Sequence, residues 1–144
     1  MRVERSIDIA APPERVYDTV MDPARLADWV TIHDRLVDAP NGALEQGSRL
    51  TQSLKLAGRR FTVRWTVVEN HPCERVVWEG KGPVASHARV VYAFGPNGDG
   101  TRFSYTNEYD LPGGPLGRAA GRAVARITQK ELEGSLRRLK SLVE

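Results

Sequence analysis

The sequence predicts an α+β domain: a curved antiparallel sheet of about seven strands wrapped around a long C-terminal helix, with two short helices after the first strand. Three observations carry this. Pro115 to Val143 is rich in strong helix formers and carries an apolar stripe. From Leu36 to Asp110, runs of period-two alternation are separated by Gly, Pro and Asn clusters, the pattern of antiparallel strands and turns. A curved sheet with one apolar face needs a cover, and the terminal helix is the only long one.

The elements follow in order. Val3, Arg5, Ile7 and Ile9 alternate with Glu4, Ser6 and Asp8, giving a first strand. Pro12-Pro13-Glu14 opens a short helix whose apolar side is Val16, Tyr17 and Val20. A second begins with Asp22 as N-cap and Pro23 at the first position, and carries Leu26, Trp29 and Val30.

Strands dominate from there. Asn41-Gly42 marks a turn, Leu50, Gln52, Leu54 and Leu56 share one strand face, and Ala57-Gly58 turns the chain back. Phe61, Val63, Trp65 and Val67 share a face of the next strand. Pro72 sits in a further turn; Val76 and Trp78 lead a strand that Gly80 to Pro83 interrupt. Ala88, Val90, Tyr92 and Phe94 share a face, and Pro96 to Gly100 form a hairpin loop. Phe103, Tyr105, Asn107 and Tyr109 share the last strand face.

In the final helix, Leu132, Leu136, Leu139 and Val143 form one stripe. Leu116, Ala120, Ala123, Val124 and Ile127 form another of different phase, so a bend is expected near Thr128 to Glu131. Small residues in the first half imply either close packing or space for a ligand. Arg118, Arg122, Arg126 and Lys130 read as a solvated face, with Arg122 or Arg126 placed to overhang a cavity mouth.

Composition narrows the class. The 144 residues make one domain, 1–144. A net charge of +3 is too weak to argue nucleic-acid binding. Cys73 is the single cysteine, which excludes an intramolecular disulfide and fits a reducing, cytoplasmic setting. The stretch Met1 to Ala10 has no long apolar run, so no signal peptide or membrane span is expected.

Several pieces together resemble a known family. They are Ile9 to Tyr17, Asp22-Pro23 followed by Trp29, Gly47 before a strand, Val68-Glu69-Asn70-His71-Pro72, Gly98 to Arg102, and the closing stretch from Pro115 to Lys140. The chain resembles the polyketide cyclase/dehydrase-like branch of the START and birch-pollen-allergen superfamily, over essentially its whole length. The resemblance implies a helix-grip fold. It also implies binding of a hydrophobic ligand, since members bind lipids, sterols, polyketides, quinones or hormones and some catalyse cyclisation. Trp29 matches a family position near the helix-loop lid.

No catalytic signature accompanies it. His33, His71 and His87 lack metal-ligand spacing, and there is no P-loop or nucleophile elbow. No cofactor and no metal are expected, and Cys73 has no activating base beside it. What remains is the inner sheet face, aromatic with isolated polar groups, as small-molecule pockets are. The expected ligand-binding residues are Gln52, Trp65, Trp78, Tyr92, Tyr105, Asn107 and Tyr109, joined by Trp29 from the resemblance.

The expected function is binding of a hydrophobic or aromatic, lipid- or polyketide-like molecule between sheet and helix. The enzyme alternative is an aromatase/cyclase or dehydratase using Tyr105, Tyr109 or His33, with no Asp, Glu or His placed on the inner face. A third reading is a partner-binding module of chaperone-activator type, with a filled interior.

Overall fold

A computed structural model describes the backbone of residues 1–110 and 115–144, and the side chains outside 111–121. The elements are β1 (Arg2–Ile9), α1 (Pro13–Val20), a 3-10 turn (Pro23–Arg25) running into α2 (Leu26–Trp29), β2 (His33–Asp38), β3 (Arg49–Leu56), β4 (Arg59–His71), β5 (Arg75–Lys81), β6 (His87–Asn97), β7 (Gly100–Asp110) and α3 (Pro115–Val143). The seven strands form one antiparallel sheet in the order β1-β7-β6-β5-β4-β3-β2. Consecutive hairpins build most of it, and β1 closes onto the last strand.

Local chemistry explains the boundaries. Asp22 caps the 3-10 turn by accepting from the Ala24 N–H at 3.0 Å. Ala57 and Gly58, at φ 52° and 77°, make a two-residue hairpin whose backbone twist matches that of the flanking strands. The interruption expected at Gly80 does not occur, because β5 continues to Lys81. Gly80 is needed for packing instead: a Cβ there would lie 2.7 Å from Cε3 of Trp65 and from Cγ1 of Val63. Likewise the β6–β7 hairpin is tighter than expected, with strand pairing extending to Asn97 and Gly100.

One irregularity bends the sheet. The register slips between Val67↔Trp78 and Glu69↔Val77, leaving Val68 as a bulge residue. Such an insertion increases local twist, and it lets a long β4 curl around the interior.

α3 lies against β1 and α2. Leu132, Leu136, Leu139 and Val143 are all buried, as their spacing requires. The helix is one continuous element through the phase change at Thr128. Of the other stripe, Val124 and Ile127 are half-buried while Ala123 is exposed, a correction: the helix turns that position outward. Leu116 and Ala120 lie among the residues whose side chains are not described. Ties to β1 hold the C-terminal half: Lys140 Nζ donates to Asp8 O at 3.0 Å, the Ala10 N–H donates to Glu144 at 2.8 Å, and Arg5 pairs with Glu133 at 3.1 Å.

The inner face packs around Trp29, which is fully buried. Its ring lies 6.0 Å from that of Tyr92, 6.4 Å from Phe103 and 6.1 Å from Tyr105, edge-on in each case. This cluster fills one half of the space beneath the sheet. The other half is not filled.

Candidate functional site

Two adjoining chambers occupy the unfilled half. The larger, about 140 Å³, is lined by Phe61, Val63, Tyr109 and Asp110 from the sheet and by Val124, Thr128, Glu131 and Leu132 from α3. The smaller, about 60 Å³, is lined by Leu26, Leu50, Gln52, Trp78, Val90 and Tyr92. Val30, Ile32, Leu54, Trp65, Tyr105 and Asn107 border both, so the two share a wall. The period-two alternation of β3 to β7 places these side chains here. A broader open depression of about 1050 Å³ lies on the outer sheet face. Its cross-strand neighbours Arg2↔Glu108, Arg89↔Glu108 and Glu79↔Arg89 alternate in charge, as on a solvated surface.

Of the eight residues expected to bind ligand, Gln52, Trp65, Trp78, Tyr92, Tyr105, Asn107 and Tyr109 border one or both chambers. Trp29 borders neither; it stands behind Tyr92 and Tyr105 as their packing support.

The polar groups fall into two sets. In the first, every group has a partner. The Trp65 indole N–H donates to Gln52 Oε1 at 3.0 Å. Because indole nitrogen only donates, the Gln52 amide orientation is fixed, and its Nε2–H donates to His33 Nδ1 at 2.8 Å. The His33 proton is therefore on Nε2. Burial lowers the His33 pKa, partly countered by the Asp34 charge, so the neutral ring is favoured. His33, an acid/base candidate of the enzyme alternative, sits on the edge strand β2 with its Nδ1 accepting from Gln52.

In the second set the groups lack partners. The indole N–H groups of Trp78 and, behind the wall, Trp29 are buried with no acceptor among the described residues. Asn107 and the hydroxyls of Tyr92 and Tyr105 also have no hydrogen-bond partner among the described residues, whose side-chain bonds lie elsewhere. Burial drives the Tyr92 and Tyr105 pKa values far upward, and proximity to Tyr105 adds to the rise at Tyr92. Burial also raises that of Tyr109. All three phenols are protonated at neutral pH. The wall thus offers groups that can both donate and accept, together with one indole that can only donate, and leaving that buried donor unpaired costs on the order of 1–3 kcal/mol.

Three ionisable groups border the larger chamber: Glu131, His87 and Asp110. None of the three lies on the inner sheet face: Glu131 comes from α3, and His87 and Asp110 are exposed at the rim. Glu131 follows the basic stripe of Arg122, Arg126 and Lys130 along the helix. Thr31 draws it inward: its hydroxyl donates to the Glu131 carboxylate, and its N–H donates to Ser135 Oγ at 3.0 Å. No sequence spacing connects Thr31 to a residue one hundred positions away.

With the geometry established, comparison with known proteins supplies the family. A family model described as polyketide cyclase / dehydrase and lipid transport matches residues 1–144. The chain belongs to this family. An uncharacterized protein of Mycobacterium tuberculosis, Rv1546, is 29% identical over 135 residues, covering 91% of this chain and 93% of that one. Another protein of the same organism, named toxin Rv0910, is 24% identical over 134 residues, covering 92% and 93%. The crystal structure of TTHA0849 from Thermus thermophilus superposes with a TM-score of 0.80 at 24% identity, covering 99% of this chain and 97% of that one. At that identity the superposition shows the fold alone. Among the described residues no helix is long and apolar enough to cross a membrane, and no cluster of His, Cys, Asp and Glu is placed to hold a metal.

Proposed function

We propose that this protein binds an uncharged, one- or two-ring aromatic molecule carrying an oxygen acceptor, held between the sheet and α3. The observation that supports this reading most is the buried, unpaired Trp78 indole N–H, which faces an otherwise apolar space beside the side chains of Tyr92, Tyr105 and Asn107. An acceptor oxygen placed beside that indole would remove the penalty of leaving it unpaired. Size supports the ring count, since an apolar cavity of about 150 Å³ holds one benzene ring. The larger chamber is of that size, and the smaller would take a substituent or part of a second ring. A long acyl chain or a fused four-ring polyketide needs more room than this conformation has. Glu131 and Asp110 disfavour an anionic ligand in the larger chamber.

Native mass spectrometry of the purified protein, followed by solvent extraction, tests the reading. It expects a released aromatic compound, or stoichiometric uptake of one from a panel of aryl ketones and phenols. A bare mass before and after that panel would sink it.

Glu131 favours a second, catalytic reading. Its carboxylate shares the larger chamber with Asn107 and Tyr105, so a base and hydrogen-bond donors would flank a bound carbonyl compound, as enolisation requires. Exchange of the α-hydrogens of a bound aryl ketone for deuterium, lost in Glu131→Gln with binding retained, would support it.

A further inference from the structure

The end of the molecule where the larger chamber opens has properties that ligand binding does not require. Pairing between β4 and β5 begins only at Arg64↔Lys81, so the start of β4, with its partner residues at the end of β3, projects beyond β5. At about 3.3 Å per residue the overhang from Arg59 is roughly 16 Å. The gap beside it is edged by the loop from Gly82 to Ser86, and both of those residues border the chamber.

That loop holds Val84 at φ 54° and Ala85 at φ 57°. It is closed by Gly82 N–H to Ser86 O at 2.9 Å and by Ser86 N–H and Oγ to Pro83 O at 3.1 and 2.7 Å. The left-handed region disfavours a β-branched side chain, and water disfavours an exposed isopropyl group. Val84 meets both conditions, and its 79% exposure exceeds that of every other large apolar side chain described. Glycine or asparagine would suit the free protein better at this position.

Charge is arranged around the same tip. Lys55, Arg59 and Lys81 are exposed on the surrounding strands, and Arg122 and Arg126 on the stretch of α3 that borders the chamber. Arg60 is paired with Asp34 at 3.4 Å. The carboxylates facing this end are Asp34, Asp110 and Glu131, the last bonded to Thr31. At the opposite end Glu14, Asp18 and Glu74 gather close enough to Cys73 to raise its pKa, after burial.

We propose that the mouth end docks on an anionic lipid bilayer, with Val84 entering the headgroup layer and the flanking Lys and Arg side chains meeting lipid phosphates. A single aliphatic prong ringed by long, flexible cations suits a fluid, negatively charged surface; a protein partner would need a fitted socket for the prong. Docking of this kind would present the chamber to the membrane, whatever ligand it holds.

The test is flotation of the ligand-free protein with phosphatidylcholine vesicles, with and without about one-third phosphatidylglycerol. Binding is expected only to the anionic vesicles, and lost in high salt. Removing Lys55 and Arg59 as alanines should weaken it about fivefold per charge. Val84→Gly should weaken it by about tenfold while leaving the fold as stable or more so, because glycine accepts the loop's positive φ. Arg75→Ala with Arg102→Ala, at the far end, should leave it unchanged. Failure to bind anionic vesicles would overturn the proposal, as would equal binding to both vesicle types. So would binding that ignores the mouth variants or falls equally in the far-end pair. Ligand uptake measured without vesicles is untouched by any of these outcomes, so the two readings fail separately.

Discussion

Replacing Asn107 by leucine separates a binding residue from a structural one. Asn107 lies on β7 opposite Val3 and Val90, and its side chain borders both chambers with no protein hydrogen bond among the described residues. An amide so placed costs roughly 1–3 kcal/mol when unpaired, less whatever cavity water returns. Leucine has similar volume and no such requirement. The ligand-free variant should therefore be more stable by about 1 kcal/mol, a rise in Tm of roughly 3 °C for a domain of this size. Affinity for an aryl ketone should move the other way, by about tenfold for one lost neutral hydrogen bond. Urea unfolding gives the first quantity and isothermal titration the second. A variant destabilised by more than about 1 kcal/mol would refute the reasoning, because it would mean that the amide holds the strand in place.

Other consequences concern the frame and the pH response. Leu139→Ala, at a fully buried site on α3, should cost about 2–5 kcal/mol in urea unfolding, through lost burial and an unfilled cavity. Gly80→Ala forces a methyl group against Trp65 and Val63, and should cost about 1–3 kcal/mol with a shift in Trp65 fluorescence; no change in either would show that the indole has room to move. His33 has a pKa below its unfolded value of 6.5, so the unfolded chain binds the extra proton first. Its contribution is complete above pH 6.5 and is lost as pH falls through the folded pKa. Asp34, Glu69 and Glu144, whose pKa values are also lowered, add their own losses only at more acidic pH. His33→Gln should flatten the stability profile just below pH 6.5 and leave the more acidic limb intact.

The sheet was legible because alternation is a local property: each strand displays its inner face within six or seven residues. Thus Leu50-Gln52-Leu54 and Phe103-Tyr105-Asn107-Tyr109 name the chamber wall directly. The bulge at Val68 was not legible, since Val67 and Val68 are both apolar and an inserted residue leaves no mark in such a run. Strand ends were misjudged where glycine was taken as a breaker. Gly80 is a strand residue kept small by an overlying indole. Contacts between distant segments were also hidden. The His33–Gln52 bond depends on the register of β2, and the inward turn of Glu131 depends on Thr31. Whether the interior is filled is a matter of summed volume, which no pattern of residue types encodes.

The three tryptophans allow the central claim to be tested in one experiment. Each indole N–H gives a separate nuclear magnetic resonance signal, and the three differ in surroundings. Trp78 borders the smaller chamber with its N–H unpaired, Trp65 borders both chambers with its N–H held by Gln52, and Trp29, whose N–H is also unpaired among the described residues, is buried behind the wall away from both chambers. Titrating aryl ketones into the ¹⁵N-labelled protein should move the Trp78 signal most, downfield as it gains an acceptor, while Trp29 stays nearly fixed. If the Trp78 signal holds its position across the panel, or all three signals move together, the chamber is not the binding site.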